Sequence, residues 1–284
     1  MTVQVVTDSS CCLSPEQLRA NGLRQASLHL LLDGRDVPED DASLGEDWLS
    51  RPDLSTAAAN EGELAALYAQ ALAASSGDGV VAVHLSGALS ATAAAAQAAA
   101  ARSNGGVLVV DSQQAAMGVG FAALAAARAA AFGAGREEVA EAARATAAAT
   151  GTWGFVDTLD WLRRSGRIPR AAWLVGTALS IRAVLRLSDG KLQIADRART
   201  RDRARGKIVE LARARFGESG ALVAVRHQQA AEQAGELAAA LSGELQLAGE
   251  VDIAPANRVL GAHLGTGALV VSIAPAQTGR FACG

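Results

Sequence analysis

Val80-Val81-Ala82-Val83-His84-Leu85-Ser86-Gly87-Ala88-Leu89-Ser90-Ala91-Thr92, continued by an alanine-rich run to Arg102 and by Val107-Leu108-Val109-Val110, decides the fold class. The β-branched run over 80–84 predicts a strand, 90–102 a helix, and 107–110 a further strand. Strand, helix and strand in that order make a parallel pair whose crossover helix covers the sheet. The same alternation continues on both sides. Residues 3–6 read as a buried strand, and Ser14-Pro15-Glu16 opens a helix with a cap followed by proline at the first position. A strand over 27–32 ends at the turn Asp33-Gly34. Residues 61–75, 118–132 and 136–149 read as helices.

At Gly151-Thr152-Trp153-Gly154 the character of the chain changes. Three of the four tryptophans, Trp153, Trp161 and Trp173, and a basic cluster begin here. The expectation is therefore an α/β protein of two domains, an N-terminal parallel sheet flanked by helices over 1–150 and a second α/β domain over 151–284. In the second, a helix near 158–165 precedes a hairpin of 183–187 with 192–195, turned by Asp189-Gly190. A helix over 200–216, a strand over 222–226, a helix over 229–241 and strands over 244–253 and 268–274 complete it.

Hydrophobic residues are 50% and charged residues 19% of the 284, enough apolar side chain for one or two cores. Disorder and a metal-stapled miniprotein are excluded on that ground. No apolar run nears the ~20 residues a spanning helix needs, and no basic leader precedes the opening strand. A cytoplasmic protein without integral membrane association is expected. Cys11, Cys12 and Cys283 are odd in number, two are adjacent, and no metal-ligand spacing accompanies them. Reduced thiols are expected, with no metal and no cofactor.

The net charge of −3 conceals an asymmetry. Between Arg163 and Arg215 stand 15 Lys and Arg against 4 Asp and Glu, and the rest of the chain carries 11 against 25. Arg197, Arg199, Arg201, Arg203 and Arg205 fall at every second position, and Arg163, Arg164, Arg167 and Arg170 form an earlier group. No aromatic residues interleave with them and no nucleic-acid motif is present, so nucleic acid is not expected as a partner. A solvated basic face and a docking surface for an acidic protein or a phosphate carrier are the two readings.

Four further stretches hold residues that can carry chemistry. Thr7-Asp8-Ser9-Ser10 ends the first strand, where open α/β sheets bind ligands. A phosphate-transferring aspartate needs a partner acid two residues on, and Ser10 stands there, so Asp8 reads as a hydrogen-bond organiser. Ser90 opens its helix and either caps it or contributes to an anion site at the free amides. His263-Leu264-Gly265-Thr266-Gly267 lies in a loop before the last strand. Its glycines let backbone approach a ligand closely and its histidine is either structural or a donor. Gly118-Val119-Gly120-Phe121-Ala122-Ala123 has dinucleotide-like spacing, but it lies too far from the preceding strand, and helix packing explains the glycines better.

Taken in order, these stretches resemble the DegV family. Val6-Thr7-Asp8-Ser9-Ser10 is similar to its opening TDS motif, Leu89-Ser90-Ala91-Thr92 to its LSGT, and Val110-Asp111-Ser112 to its central DS. Thr158-Leu159-Asp160-Trp161-Leu162-Arg163-Arg164-Ser165-Gly166-Arg167-Ile168 resembles its TLxYLxxGGRI. Asp189-Gly190-Lys191 with Ala198-Arg199-Thr200, and His263-Leu264-Gly265-Thr266-Gly267, resemble its DGK…xRT and HxGPG stretches.

The resemblance implies a non-enzymatic carrier with one long-chain fatty acid buried between two lobes. It implies that Thr56, Ser90 and His263 hold the carboxylate through neutral donors. It further implies presentation of that carboxylate to a fatty acid kinase partner, with Arg170 and Arg199 contacting the partner or the new phosphate. A lipid-sensing or transport protein without a kinase shares the ligand. A hydrolase using Ser90 and His263 is the enzymatic alternative, but Ser90 lacks a G-x-S-x-G elbow.

Overall fold

Val80–His84 is buried at all five positions, which a strand achieves only where elements cover both faces of its sheet. The computed structural model describes residues 3–168, 182–217 and 219–276. Among them, β1 (Gln4–Asp8), β2 (Arg24–Ala26), β6 (Val80–His84) and β7 (Val107–Asp111) form a sheet in the order β2-β1-β6-β7, parallel throughout. The helices of this half are α1 (Pro15–Ala20), α2 (Glu61–Ala74), α3 (Thr92–Ala101), α4 (Met117–Ala131) and α5 (Arg136–Ala149). α2 packs on α3 and α4 on α5, and both pairs lie against the sheet. Alanine and glycine let these helices come close. A Cβ on Gly118 would sit 2.6 Å from Gln114 Oε1, and one on Gly120 2.6 Å from the Cys11 carbonyl oxygen. The glycine spacing is therefore a packing device, as the sequence suggested.

The run over 27–32 does not join that sheet. Asp33 and Gly34 both have positive φ, at 51° and 70°, and a two-residue turn of this kind forces an antiparallel hairpin. β3 (His29–Leu32) therefore pairs with β4 (Arg35–Pro38), and its other edge takes β5 (Ser55–Ala57). In this register Leu30 faces Thr56.

The second sheet runs β10-β9-β8-β13-β11-β12, from β8 (Gly151–Val156), β9 (Arg182–Ser188), β10 (Lys191–Ala198), β11 (Ala221–His227), β12 (Asp252–Pro255) and β13 (Leu269–Pro275). Its pairings are antiparallel except β11 with β12. Side chains alternate between its faces. Trp153, Phe155, Val184 and Val271 pack with α7 (Arg201–Phe216) and α8 (Ala231–Ser242). Val156, Leu185 and Val270 face the other way, with Leu162 of α6 (Asp160–Arg164) and Leu264 of α9 (Arg258–Leu264). The hairpin turn at Asp189 and Gly190, φ 51° and 72°, is as expected.

Four expectations change. Residues 151–156, read only as a change of character, are a strand buried throughout. The strand expected over 244–253 shrinks to Asp252–Pro255, because Leu245 packs into the core and Leu247 makes a single bridge to Ala221 before the chain bends. The helix expected from Ser90 begins at Thr92. His263 lies on α9 and not in a loop, for Asn257 caps that helix by accepting from the Leu260 amide at 3.1 Å. Among the described residues no helix is long and apolar enough to cross a membrane.

Candidate functional site

The face of the second sheet left free by α7 and α8 turns towards the first half of the chain. Between them lies a cavity of about 950 Å³ of atom-free space, its mouth included. Its walls are apolar: Leu28, Leu85 and Leu89 from the first half, Leu185, Leu187 and Leu192 from the hairpin, and Val259, Leu260 and Leu264 from α9. The hairpin is held over the cavity by Ser86 Oγ, which donates to the Gly190 carbonyl at 2.7 Å. Thr56, Ser90, Arg167 and His263 are polar members of the lining. Three of them, Thr56, Arg167 and His263, also line an outer cleft, open to solvent, with Arg51, Arg164 and Gln229. The polar groups thus stand where an apolar chamber meets a polar one.

Thr56 Oγ1 lies 3.0 Å from His263 Nε2. Burial first, and the Arg167 charge second, push the imidazole down to about 4, so it is neutral at pH 7. Its Nδ1 is buried without a hydrogen-bond partner. When the Thr56 hydroxyl donates to Nε2, the ring proton resides on Nδ1, and this donor awaits an acceptor.

Ser90 Oγ accepts from the Thr92 amide at 3.2 Å and lies 2.9 Å from Thr92 Oγ1. Thr92 Oγ1 in turn accepts from the Ala59 amide at 3.3 Å. With Thr92 donating to Ser90, the Ser90 hydroxyl hydrogen is free. The same chain of bonds ties the segment carrying Thr56 to the turn carrying Ser90.

Arg167 belongs both to the basic group and to the stretch that resembles TLxYLxxGGRI. Its Nε donates to the Leu89 carbonyl at 3.1 Å and its Nη1 to the Ser165 carbonyl. Among the described residues no carboxylate forms an ion pair with it, and burial lowers its pKa. A partly buried guanidinium without a counter-ion is a site for an anion. Its place in the Ser165-Gly166-Arg167-Ile168 stretch was the available signal.

The remaining candidates fall elsewhere. Arg199 is exposed and lines a separate surface groove with Arg197, Arg203 and Lys207. Arg170 lies outside the described residues. Part of the basic surplus is structural: Arg182 and Arg201 both bind Asp157. Gly265 and Gly267 have φ of 75° and 79°. A Cβ on the first would collide with the Trp161 indole and on the second would sit 2.6 Å from Asp157 Oδ2. Both neighbours require glycine at these positions. Asp8 is fully buried and accepts from the Ser10 and Leu85 amides, each at 3.0 Å, with His84 Nδ1 at 2.9 Å. It organises the strand ends, as its sequence context implied. Among the described residues no group of three ligating side chains could hold a metal.

The profile of the family described as "Uncharacterised protein, DegV family" matches residues 2–276. A DegV domain-containing protein of Mycobacterium tuberculosis is 43% identical over 274 residues, covering 96% of this chain and 97% of that protein. The crystal structure of a DegV family protein from Corynebacterium glutamicum superposes with a TM-score of 0.86 at 35% identity, covering 98% of this chain and 99% of that one. A Thermus thermophilus structure, described as fatty acid binding of a DegV family protein, gives 0.90 at 26% identity, covering 97% and 100%. Matched along nearly its whole length by profile, sequence and structure, the chain belongs to the DegV family.

Proposed function

We propose that this protein holds one long-chain fatty acid between two lobes that meet near residue 150, and presents its carboxylate to a partner fatty acid kinase. One observation carries the reading: an apolar cavity meets a polar chamber at Thr56, Arg167 and His263, with Ser90 in the wall of the apolar one. The apolar walls of the first suit an acyl chain, and the polar groups of the second suit an ionised head group. Burying each CH₂ contributes about 0.8 kcal/mol, so a C16 chain contributes on the order of 10 kcal/mol before entropy is charged.

At the head group, the Ser90 hydroxyl and the Nδ1 proton of His263 act as donors, and Thr56, whose hydroxyl donates to His263 Nε2, holds the imidazole in that tautomer. Arg167, which has no ion-pair partner among the described residues, supplies a counter-charge, which amends the expectation of neutral donors alone. Buried charges persist where they are paired. The outer cavity gives a second protein access to the carboxylate. In the kinase reading a carboxylate oxygen bonds to the terminal phosphorus of ATP and ADP leaves. The cytoplasm, where ATP is abundant, suits that reaction.

A hydrolase is disfavoured by the same geometry. His263 Nε2 is engaged by Thr56, and no carboxylate orients its Nδ1. A transport or sensing role without a kinase shares the ligand and differs only in partner.

The test is denaturing solvent extraction of the purified protein, followed by mass spectrometry. About one fatty acid per chain supports the carrier reading. An empty extract, with no uptake of added long-chain acids, overturns it.

A further inference from the structure

His263 can meet a carboxylate only if α9 stays seated against the first half of the chain. The group that seats it is Glu39, 4% exposed, in the loop after β4. Its Oε2 accepts from the Val259 amide at 2.8 Å, and its Oε1 accepts from Asn257 Nδ2 at 2.9 Å and from the Ser9 hydroxyl. Asn257 Nδ2 also donates to the Ser9 carbonyl at 2.8 Å, and Ser9 Oγ accepts from the Leu28 amide at 2.9 Å. Arg258 Nη1 donates to the carbonyls of Glu39 at 2.7 Å and Asp41 at 3.0 Å. One carboxyl therefore joins the turn after β1, the loop after β4 and the first turn of α9. Val259 and His263 are one helical turn apart and both line the cavity, so displacement at the Val259 amide moves His263 with it.

We propose that Glu39 is a positioning residue whose carboxyl sets the place of α9, and so of His263, in a proton-dependent way. The inference rests on the lipid-carrier reading and adds to it a control of retention.

An ionised Glu39 has donors around it but, among the described residues, no cation of its own. Arg258 is spent on main-chain oxygens, and Arg226 on Asp252 and the Cys12 carbonyl. Asp8 is a negative neighbour, and the Cys12 thiol, raised by burial, is neutral. Asp40 binds Ser27 and Asp41 binds the Ser43 amide. Burial, opposed by the hydrogen bonds of Ser9 and Val259, raises the Glu39 carboxyl to about 7. If α9 swings away and water reaches Glu39, the carboxyl returns to its ordinary range near 4.5. The seated arrangement binds the proton more tightly than the displaced one, so by linkage acid favours seating. Seating is firmest below the ordinary carboxyl range and weakens as pH rises through about 7.

The test loads the whole protein with palmitate and follows transfer to phosphatidylcholine vesicles at pH 6 and pH 8. The wild type is expected to release about tenfold faster at pH 8, the equivalent of one pKa unit. Glu39→Gln, which cannot titrate, is expected to release at rates within about twofold of each other. A variant that keeps the wild-type pH profile, or a wild type with equal rates, overturns the inference while leaving the carrier reading intact. A wild type that takes up no palmitate at either pH overturns both. Should Glu39→Gln fail to fold, hydrogen exchange at the Val259 amide of the wild type decides. Protection, corrected for intrinsic rates, is expected to be higher at pH 6, and equal protection overturns the inference.

Discussion

Thr56 Oγ1 and His263 Nε2 lie 3.0 Å apart although 207 residues separate them in the chain. Thr56 is carried by the edge strand of a small antiparallel sheet, and His263 by the last turn of a seven-residue helix. Their contact joins β5 to α9 at the wall of the cavity.

His263→Ala and Ser90→Ala should each raise the off-rate of palmitate by roughly ten- to a hundredfold. That is the loss of one hydrogen bond to a charged group, about 1.5–3 kcal/mol. Stopped-flow transfer to vesicles measures it, and unchanged rates in both variants would remove the assigned site.

Arg167→Gln should weaken the preference for an ionised head group. Competition between palmitate and 1-hexadecanol reads this out, with selectivity for the acid expected to fall about tenfold as a charge-assisted contact is lost. Retained selectivity would mean that the neutral donors suffice.

Arg199→Glu should leave palmitate bound, because the side chain is exposed and lies in a groove apart from the cavity. Partner-dependent acyl phosphate formation should slow by about tenfold if the basic surface steers the kinase. Lipid loss in this variant would contradict the separation of the two roles.

Gly120→Ala should destabilise the fold by about 1–3 kcal/mol, the ordinary cost of overpacking. The added Cβ would lie 2.6 Å from the Cys11 carbonyl oxygen, which main chain cannot yield cheaply. Urea unfolding provides the measurement, and wild-type stability would show that α4 can move away from the turn after β1.

Asp157→Asn should lower the thermal midpoint at pH 7. Burial acts to raise the Asp157 carboxyl, but hydrogen bonds from Arg201 and Arg182 overcome it and hold the group below its usual range. A depressed folded-state pKa contributes stability above the unfolded value, lost as pH falls through the folded one. The difference between variant and wild type should therefore vanish only at strongly acidic pH, as calorimetry across pH would show.

Alternation of β-branched and alanine-rich runs was sufficient to establish β1, β6 and β7 of the parallel sheet, its helices and the Asp189-Gly190 hairpin, but not β2, nor the departure of residues 29–32 into a separate antiparallel sheet. These features follow from spacing within a short stretch, where backbone turn chemistry and side-chain period act locally. The ordered motifs likewise made Ser90 and His263 legible as candidates, and the resemblance they carry added Thr56. Local reading failed where pairing is remote. β8 became visible as a strand only through its partners β9 and β13, and His263 gained its helix from a cap six residues upstream. Arg167 was set apart from its basic neighbours only by its place in the Ser165-Gly166-Arg167-Ile168 stretch, since which arginine lacks a counter-ion depends on what the fold brings beside it. Arg199, equally basic, is separated from the cavity by the course of β10. Glu39 carried no motif at all. Its position among Ser9, Asn257 and Val259 exists only after three distant segments have packed, because burial, which raises its carboxyl, is a property of the assembled core.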